Sequence, residues 1–200
     1  MIGNPPFLEA ILGKVMQASI AKKYFAIPSQ KIGWGSSFTN NFGGQNEWVV
    51  KSLSSQLTNS GKAIFTKKVT PKNLDPSYPW YVQEQVDSDL DVTILVVGER
   101  YFAFGRDRSE LDGLDWRKDQ FTSPTKWISY GLDANKIQAL NGFCRELGIN
   151  WGRMDFLEEN GKLIFLEINP NGQWVFLDSS NDTGMITAVA KYFENGRTHR

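Results

Sequence analysis

The sequence predicts an α+β protein. Amphipathic helical patterns stand near both ends and past the middle, and short strand-like runs fill the space between. No regular strand–helix–strand repeat joins them. At 200 residues, 40% hydrophobic and 13% aromatic, the chain can bury one substantial core or fold as two small lobes.

Each element is argued from its own residues. FLEAILGKVMQASIAKKYF (7–25) has helical periodicity broken at Gly13, so a helix is expected from about Lys14, ended by Ala26-Ile27-Pro28. KIGWGSSFTNN (31–41) reads as a strand breaking into a loop. EWVVKSLSS (47–55) reads as a strand with Lys51 inside it, SSQLTNSG (54–61) as a small-residue loop, and KAIFTKKV (62–69) as a strand pairing back on the first. Pro71, Pro76 and Pro79 mark a connector, and WYVQEQV (80–86) is a strand. DVTILVVGERYFAFGRD (91–107) gives two strands around Gly98-Glu99, and a polar stretch with DWR (115–117) follows. ANKIQALNGFCRELG (134–148) is a helix with an apolar stripe of Ile137, Leu140, Phe143, Cys144 and Leu147, capped by Gly148. A hairpin (152–169) and a final helix (184–196) complete the chain.

Composition excludes several functions. The formal net charge is +0, from 22 basic and 22 acidic residues. No basic excess points to nucleic acid or to an anionic membrane. One cysteine, Cys144, excludes an internal disulfide, and with one histidine, His199, a Cys/His zinc site is all but excluded. His199 lies in a polar tail, which gives no support to a Ser-His-Asp triad. Cys144 reads as a buried structural thiol. No apolar run reaches membrane-spanning length and no signal peptide is visible, so a soluble, cytoplasmic protein is expected.

The hairpin carries the chemistry. In GRMDFLEENGKLIFLEINPNG (152–172), a carboxylate and a carboxamide, Glu167 and Asn169, share one face just before Pro170 ends the strand. A two-residue Asn160-Gly161 turn would set Asp155 opposite Leu166, with Asp155 and Glu167 on opposite faces. A three-residue loop, Glu159-Asn160-Gly161, needs a left-handed third residue, which is glycine. That loop sets Arg153 opposite Glu167 and Asp155 opposite Phe165. It sorts Met154, Phe156, Ile164, Leu166 and Ile168 onto one face. Arg153, Asp155, Leu157, Leu163, Phe165, Glu167 and Asn169 take the other. The odd-length loop is the expectation, because it sorts the faces better. Two carboxylates and an amide in one patch are hard oxygen donors that suit Mg²⁺. The alternative is an Arg153–Glu167 salt bridge on a solvated sheet face.

R-x-D followed by L-E-I-N-P resembles the metal-binding hairpin of the ATP-grasp superfamily. WGRMDF (151–156) is similar to the corresponding stretch of D-alanine–D-alanine ligases. FLEINPNGQW (165–174), DWR and VTILVVGERYFAF (92–104) look closer to microviridin-type peptide maturases and their RimK-like relatives. The resemblance implies an ATP-grasp fold, two small α+β lobes clasping the nucleotide, with the usual N-terminal domain apparently absent. It divides the chain into an N-terminal segment and helix start (1–20), an N-lobe or lid (21–86) and a C-lobe with the hairpin (87–200). It implies that Asp155, Glu167 and Asn169 bind two Mg²⁺ ions, with Mn²⁺ as an alternative, and that Glu167 bridges them. Arg153 would stabilise the transferring phosphoryl group. Lys51 and Lys14 would reach the phosphates of ATP; their plain alternatives are a snorkelling edge lysine and an ordinary surface lysine. Glu84 and Val86 would bind adenine through the main chain, Asp89 or Asp91 would hold ribose, and Leu157 and Phe165 would line the adenine slot or belong to the core. The maturases carry an arginine where Thr93 stands, a role Arg106 or Arg108 could take.

The function implied is a ligase that activates a carboxylate as an acyl phosphate for attack by an amine or hydroxyl, on a peptide or a small acceptor, releasing ADP and phosphate. A nucleotide-binding module without catalysis, or a fragment of a larger ligase, is the alternative. A purely structural domain would leave the sorted hairpin face unexplained.

Overall fold

A computed structural model describes residues 13–41, 46–51, 66–109, 126–170 and 172–197. In chain order its elements are α1 (Lys14–Ala21), β1 (Gln30–Gly33), α2 (Gly35–Asn41), β2 (Trp48–Val50), β3 (Lys67–Val69), β4 (Trp80–Glu84), β5 (Leu90–Val97), β6 (Arg100–Asp107), β7 (Ile128–Ser129), α3 (Ala134–Leu147), β8 (Trp151–Glu159), β9 (Lys162–Asn169) and α4 (Met185–Arg197). The chain divides into two compact units. Of the described residues, 13–27, Ser88–Ser109 and 126–197 form the first, and the remainder form the second.

The first unit is built on a five-stranded sheet in the order β7-β6-β5-β8-β9, with the paired strands antiparallel. β5 is its middle strand because VTILVV is apolar on both faces, and Val92 to Val97 are all buried. One face packs Val92, Ile94, Val96, Met154, Phe156, Leu163, Phe165 and Ile168 against α3 and the end of α1. Phe25, Phe143, Phe156 and Phe165 meet there edge-to-face, with ring centroids 5.1–5.6 Å apart. Leu140 and Phe143 of α3 are fully buried, each contributing about 1.5–3 kcal/mol by removal from water. The opposite face is apolar at one end, where Leu95, Val97, Phe102, Phe104 and Trp151 meet Met185, Ala188 and Val189 of α4. α3 starts at Asp133, whose carboxylate accepts the Lys136 N–H at 2.8 Å, and stops at Gly148 with φ 66°. Ile137, placed in its apolar stripe by periodicity, is exposed instead.

The second unit holds a four-stranded sheet in the order β1-β4-β2-β3. β2 and β3 pair antiparallel, Trp48 with Val69, as the hairpin expectation required. Trp48, Leu74 and Val82 form its small core with Phe38, Val69 and Trp80. Residues 35–41 correct the expected loop. GSSFTNN is a two-turn helix, because Phe38 folds back onto that core and outweighs the poor helix propensity of its polar neighbours. Lys51 stands just past β2 rather than within it. The loop expected over 54–61, the strand residues 62–65 and DWR (115–117) lie outside the described residues.

The β8–β9 hairpin corrects the expected register. Glu159 pairs with Lys162 across a two-residue turn, with Asn160 at φ 51° and Gly161 at φ 78°. Both turn residues are left-handed, as a type I′ turn demands and Asn-Gly supplies. The odd residue sits further along. Leu166 is an unpaired bulge, so the ladder runs Phe156 to Phe165, then Asp155 to Glu167 and Arg153 to Asn169. Leu163 and Phe165 therefore join the core face, and Ile164 takes the face of Asp155.

Candidate functional site

Strand register alone gathers a polar patch on one face of the five-stranded sheet. Phe104, Thr93, Asp155 and Glu167 form one cross-strand row. Phe102, Leu95, Arg153 and Asn169 form the row on one side of it, and Arg106, Asp91, Leu157 and Ile164 the row on the other. The bulge makes this possible. It slips β9 by one residue just before Glu167, so that a two-residue turn and a same-face pair of acids coexist.

Each carboxylate of the central row has its own partners. Thr93 Oγ1 donates to Asp155 Oδ1 at 2.8 Å, and Arg153 Nη2 to Asp155 Oδ2 at 2.9 Å. Arg153 Nη1 also donates to the Gln173 carbonyl, which ties the arginine to the segment after β9. Lys14 Nζ pairs with Glu167 Oε2, and Asn169 Nδ2 donates to Glu167 Oε1 at 3.2 Å. The expected alternative, an Arg153–Glu167 bridge, is replaced: arginine takes Asp155 and lysine takes Glu167. Arg153 and Asp155 are both buried, where a charge-assisted bond is stronger than at the surface.

Lys14 is held there by its helix. Gln17, one turn further along α1, is buried and bonds the β9 backbone twice. Its Nε2 donates to the Ile168 carbonyl at 3.0 Å, and its Oε1 accepts the Ile168 N–H at 2.9 Å. Gln17 thus occupies the open edge of β9 as a further strand would. Gly172 closes the other side. A Cβ there would lie 2.9 Å from the Asn169 Cβ and 3.3 Å from the Arg153 Cβ, so the backbone passes only because the side chain is missing.

The remaining residues fall as follows. Leu157 is buried on the face of Asp155, whereas Phe165 belongs to the core. Asp91 is buried, and its Oδ1 accepts from Arg108 Nη1 at 2.6 Å. Burial pushes its carboxyl above the usual range, opposed by Arg108. Asp89 is exposed, and its carbonyl accepts the Arg108 N–H. Lys51, Glu84 and Val86 belong to the second unit. The Lys51 N–H donates to the Tyr81 carbonyl and the Glu84 N–H to the Ser29 carbonyl, while the Glu84 side chain accepts from Asn46. Two contributors were missed in the sequence. Thr93 read as a departure yet bonds Asp155, and Gln17 was passed over although it is a lone amide on the buried side of its helix.

The donor set is two carboxylates and a carboxamide. Among the described residues no three His, Cys, Asp or Glu side chains come together as a ready cage. The set fits Mg²⁺ all the same, since that ion keeps waters and phosphate oxygens and needs few protein ligands. Lys14 and Arg153 already supply positive charge to the two acids, the environment that a divalent cation would extend or replace.

No protein-family model matches the chain, and no curated protein matches it by sequence. Solved structures do match. The macrocyclase MdnC from Microcystis aeruginosa MRC, bound with precursor peptide MdnA, is 25% identical with a TM-score of 0.79, over 96% of this chain and 64% of that one. A RiPP-associated ATP-grasp ligase from Chryseobacterium gregarium, in complex with ADP and a leader and core peptide, is 23% identical with a TM-score of 0.82, over 94% of this chain and 61% of that one. A D-alanine–D-alanine ligase from Bacillus anthracis is 13% identical with a TM-score of 0.62. The chain has the ATP-grasp fold, and it spans a little over three fifths of the length of the first two.

Proposed function

We propose that this chain is the ATP-binding part of an ATP- and Mg²⁺-dependent ligase. It activates a carboxylate as an acyl phosphate for attack by an amine or hydroxyl, with a peptide as the acceptor class. One observation carries the reading. Asp155 stands directly opposite Glu167, with Asn169 two residues on, in a sheet face that gives each acid a cationic partner. Two acids facing each other on a strand pair repel unless cations lie close. A purely structural sheet gains nothing from that arrangement.

When bound, Mg²⁺ would neutralise the β- and γ-phosphate charge and align the γ-phosphoryl group for in-line transfer. Asp155, Glu167 and Asn169 would hold it through oxygen. Arg153, fixed by Asp155 and the Gln173 carbonyl, would present its guanidinium to the charge that develops on the transferring phosphoryl group. Lys14 and Lys51 would bind phosphates, Glu84 and Val86 adenine, and Asp89 or Asp91 ribose, with Leu157 beside the base. The bond from the γ-phosphorus to its bridging oxygen breaks as the carboxylate oxygen attacks, giving ADP and an acyl phosphate. The acceptor nitrogen or oxygen then displaces phosphate and loses its proton. The chain acts by positioning and charge, which suits a sequence whose cysteine is buried in the core.

The test is calorimetric titration with a non-hydrolysable ATP analogue, with and without Mg²⁺. Wild type is expected to bind only with the metal, and Glu167→Gln to lose at least tenfold in affinity, the loss of one charged ligand. Equal binding by both proteins, or metal-independent binding, would sink the assignment.

A further inference from the structure

Lys14 and Glu167 meet in a partly buried place, with side-chain exposures of 20% and 19%. The helix holds the lysine there. Lys14 opens α1, and Gln17, three residues on and so on the same helix face, is bonded to the Ile168 backbone through both amide atoms. Ile168 follows Glu167 directly, so the helix that carries the ammonium is fixed beside the strand that carries the acid. The charges of the patch then balance. Asp155 and Glu167 bring two negative charges, and Arg153 and Lys14 bring two positive ones. Asp91, in the next row, is engaged by Arg108 and brings no spare negative charge. Among the described residues no third acid, histidine or cysteine joins the two carboxylates. A bare divalent cation is drawn to an excess of carboxylate oxygens. Here it meets a neutral cluster, with an ammonium already on one of the two acids.

We propose that Lys14 decides which form of the metal the site accepts: it excludes the free divalent cation and admits the cation only together with its nucleotide. On the ligase reading above, on which this rests, Lys14 is a specificity-determining residue. The reason is electrostatic. A free cation at Glu167 Oε2 would stand against the Lys14 ammonium, a like-charge contact in a partly buried place where water and salt screen poorly. A metal–ATP complex carries a net negative charge, because its phosphates outweigh the ion, and the same ammonium attracts it. One lysine thus acts with opposite sign on the two forms of the metal. Metal and nucleotide enter as a unit.

The experiment titrates Mn²⁺ into the full-length protein and follows the free ion by electron paramagnetic resonance, with and without a non-hydrolysable ATP analogue. Wild type is expected to leave Mn²⁺ in solution until the analogue is added. Lys14→Met keeps the stem and removes the charge. It is expected to bind Mn²⁺ alone at least about tenfold more tightly than wild type, and the Mn²⁺–analogue complex at least about tenfold less tightly. A lysine with a merely structural role would not move the two affinities in opposite directions. Lys14→Arg keeps the charge and is expected to exclude free Mn²⁺ as wild type does. Adding Glu167→Gln to Lys14→Met is expected to abolish the gain, which places the ion at that carboxylate. Four results would overturn the proposal. Wild type could take up Mn²⁺ as tightly without the analogue as with it. Lys14→Met could shift both affinities the same way, or neither. Lys14→Arg could gain as much as Lys14→Met, or the gain could survive Glu167→Gln. The first of these needs no variant, so a folding defect in Lys14→Met does not shelter the proposal. If wild type binds no Mn²⁺–analogue complex while Lys14→Met still gains free Mn²⁺ at Glu167, the ligase reading falls and the exclusion of free cation by Lys14 stands.

Discussion

At the scale of single residues, Gln17 does more than its composition suggests. Its amide satisfies both backbone groups of Ile168, and Ile168 lies between the proposed metal ligands Glu167 and Asn169. Gln17→Leu keeps the volume and leaves a buried N–H and carbonyl unpaired. The expected loss is about 2–4 kcal/mol of stability in urea denaturation, with weaker Mg²⁺-dependent analogue binding as the β9 edge loosens. The two same-face pairs of the hairpin were legible. R-x-D and E-x-N sit on strands whose alternation puts each pair on one face. Their partners were not, because Lys14 meets Glu167 across 153 positions of chain and no local period records such a contact. Thr93 was hidden by its setting, as one hydroxyl in an apolar strand reads as filler until the strand beside it is known to carry Asp155.

At the scale of elements, helix ends and turns were the readable features. Asp133 and Gly148 mark the limits of α3 because a short carboxylate and a residue without Cβ are what those ends require. Gly148→Ala forces a side chain into the left-handed region and is expected to lower stability by about 1 kcal/mol, seen as a lower urea midpoint at unchanged slope. The hairpin shows where reading from sequence fails. Turn chemistry favours Asn160-Gly161, face sorting favours an odd loop, and a regular ladder can satisfy only one. Leu166 reconciled them by leaving the ladder. A bulged leucine and a paired leucine look alike in sequence, so the slip had no signature. Helix α2 failed for another reason. Its serines and asparagines suggest a loop, and the contact of Phe38 with the core decides otherwise.

At the scale of the whole molecule, the larger unit has an apolar cluster on each face of its sheet, and Cys144 lies in the one under α3. Burial pushes the thiol up to about 11, with a hydrogen bond from Tyr101 working against the shift. The thiolate is scarce near neutrality, so alkylation of the native protein is expected to be at least about a hundredfold slower than that of the urea-unfolded chain. Labelling at the unfolded rate would mean that the core opens. The α+β class and the hairpin's place were readable from pattern. The order β7-β6-β5-β8-β9 was not, because it is settled by which edges remain to be covered, and α1 covers the last of them. That covering has a consequence for how the protein is made. Gln17 leaves the ribosome 151 residues before its partner Ile168, a wait of about 8–30 s at ordinary rates of translation. The second unit is synthesised in full during that interval. For that time α1 carries a buried-type face with nothing to cover it. A nascent chain of this protein should therefore be a client of chaperones that bind at the ribosome exit until its final strand arrives.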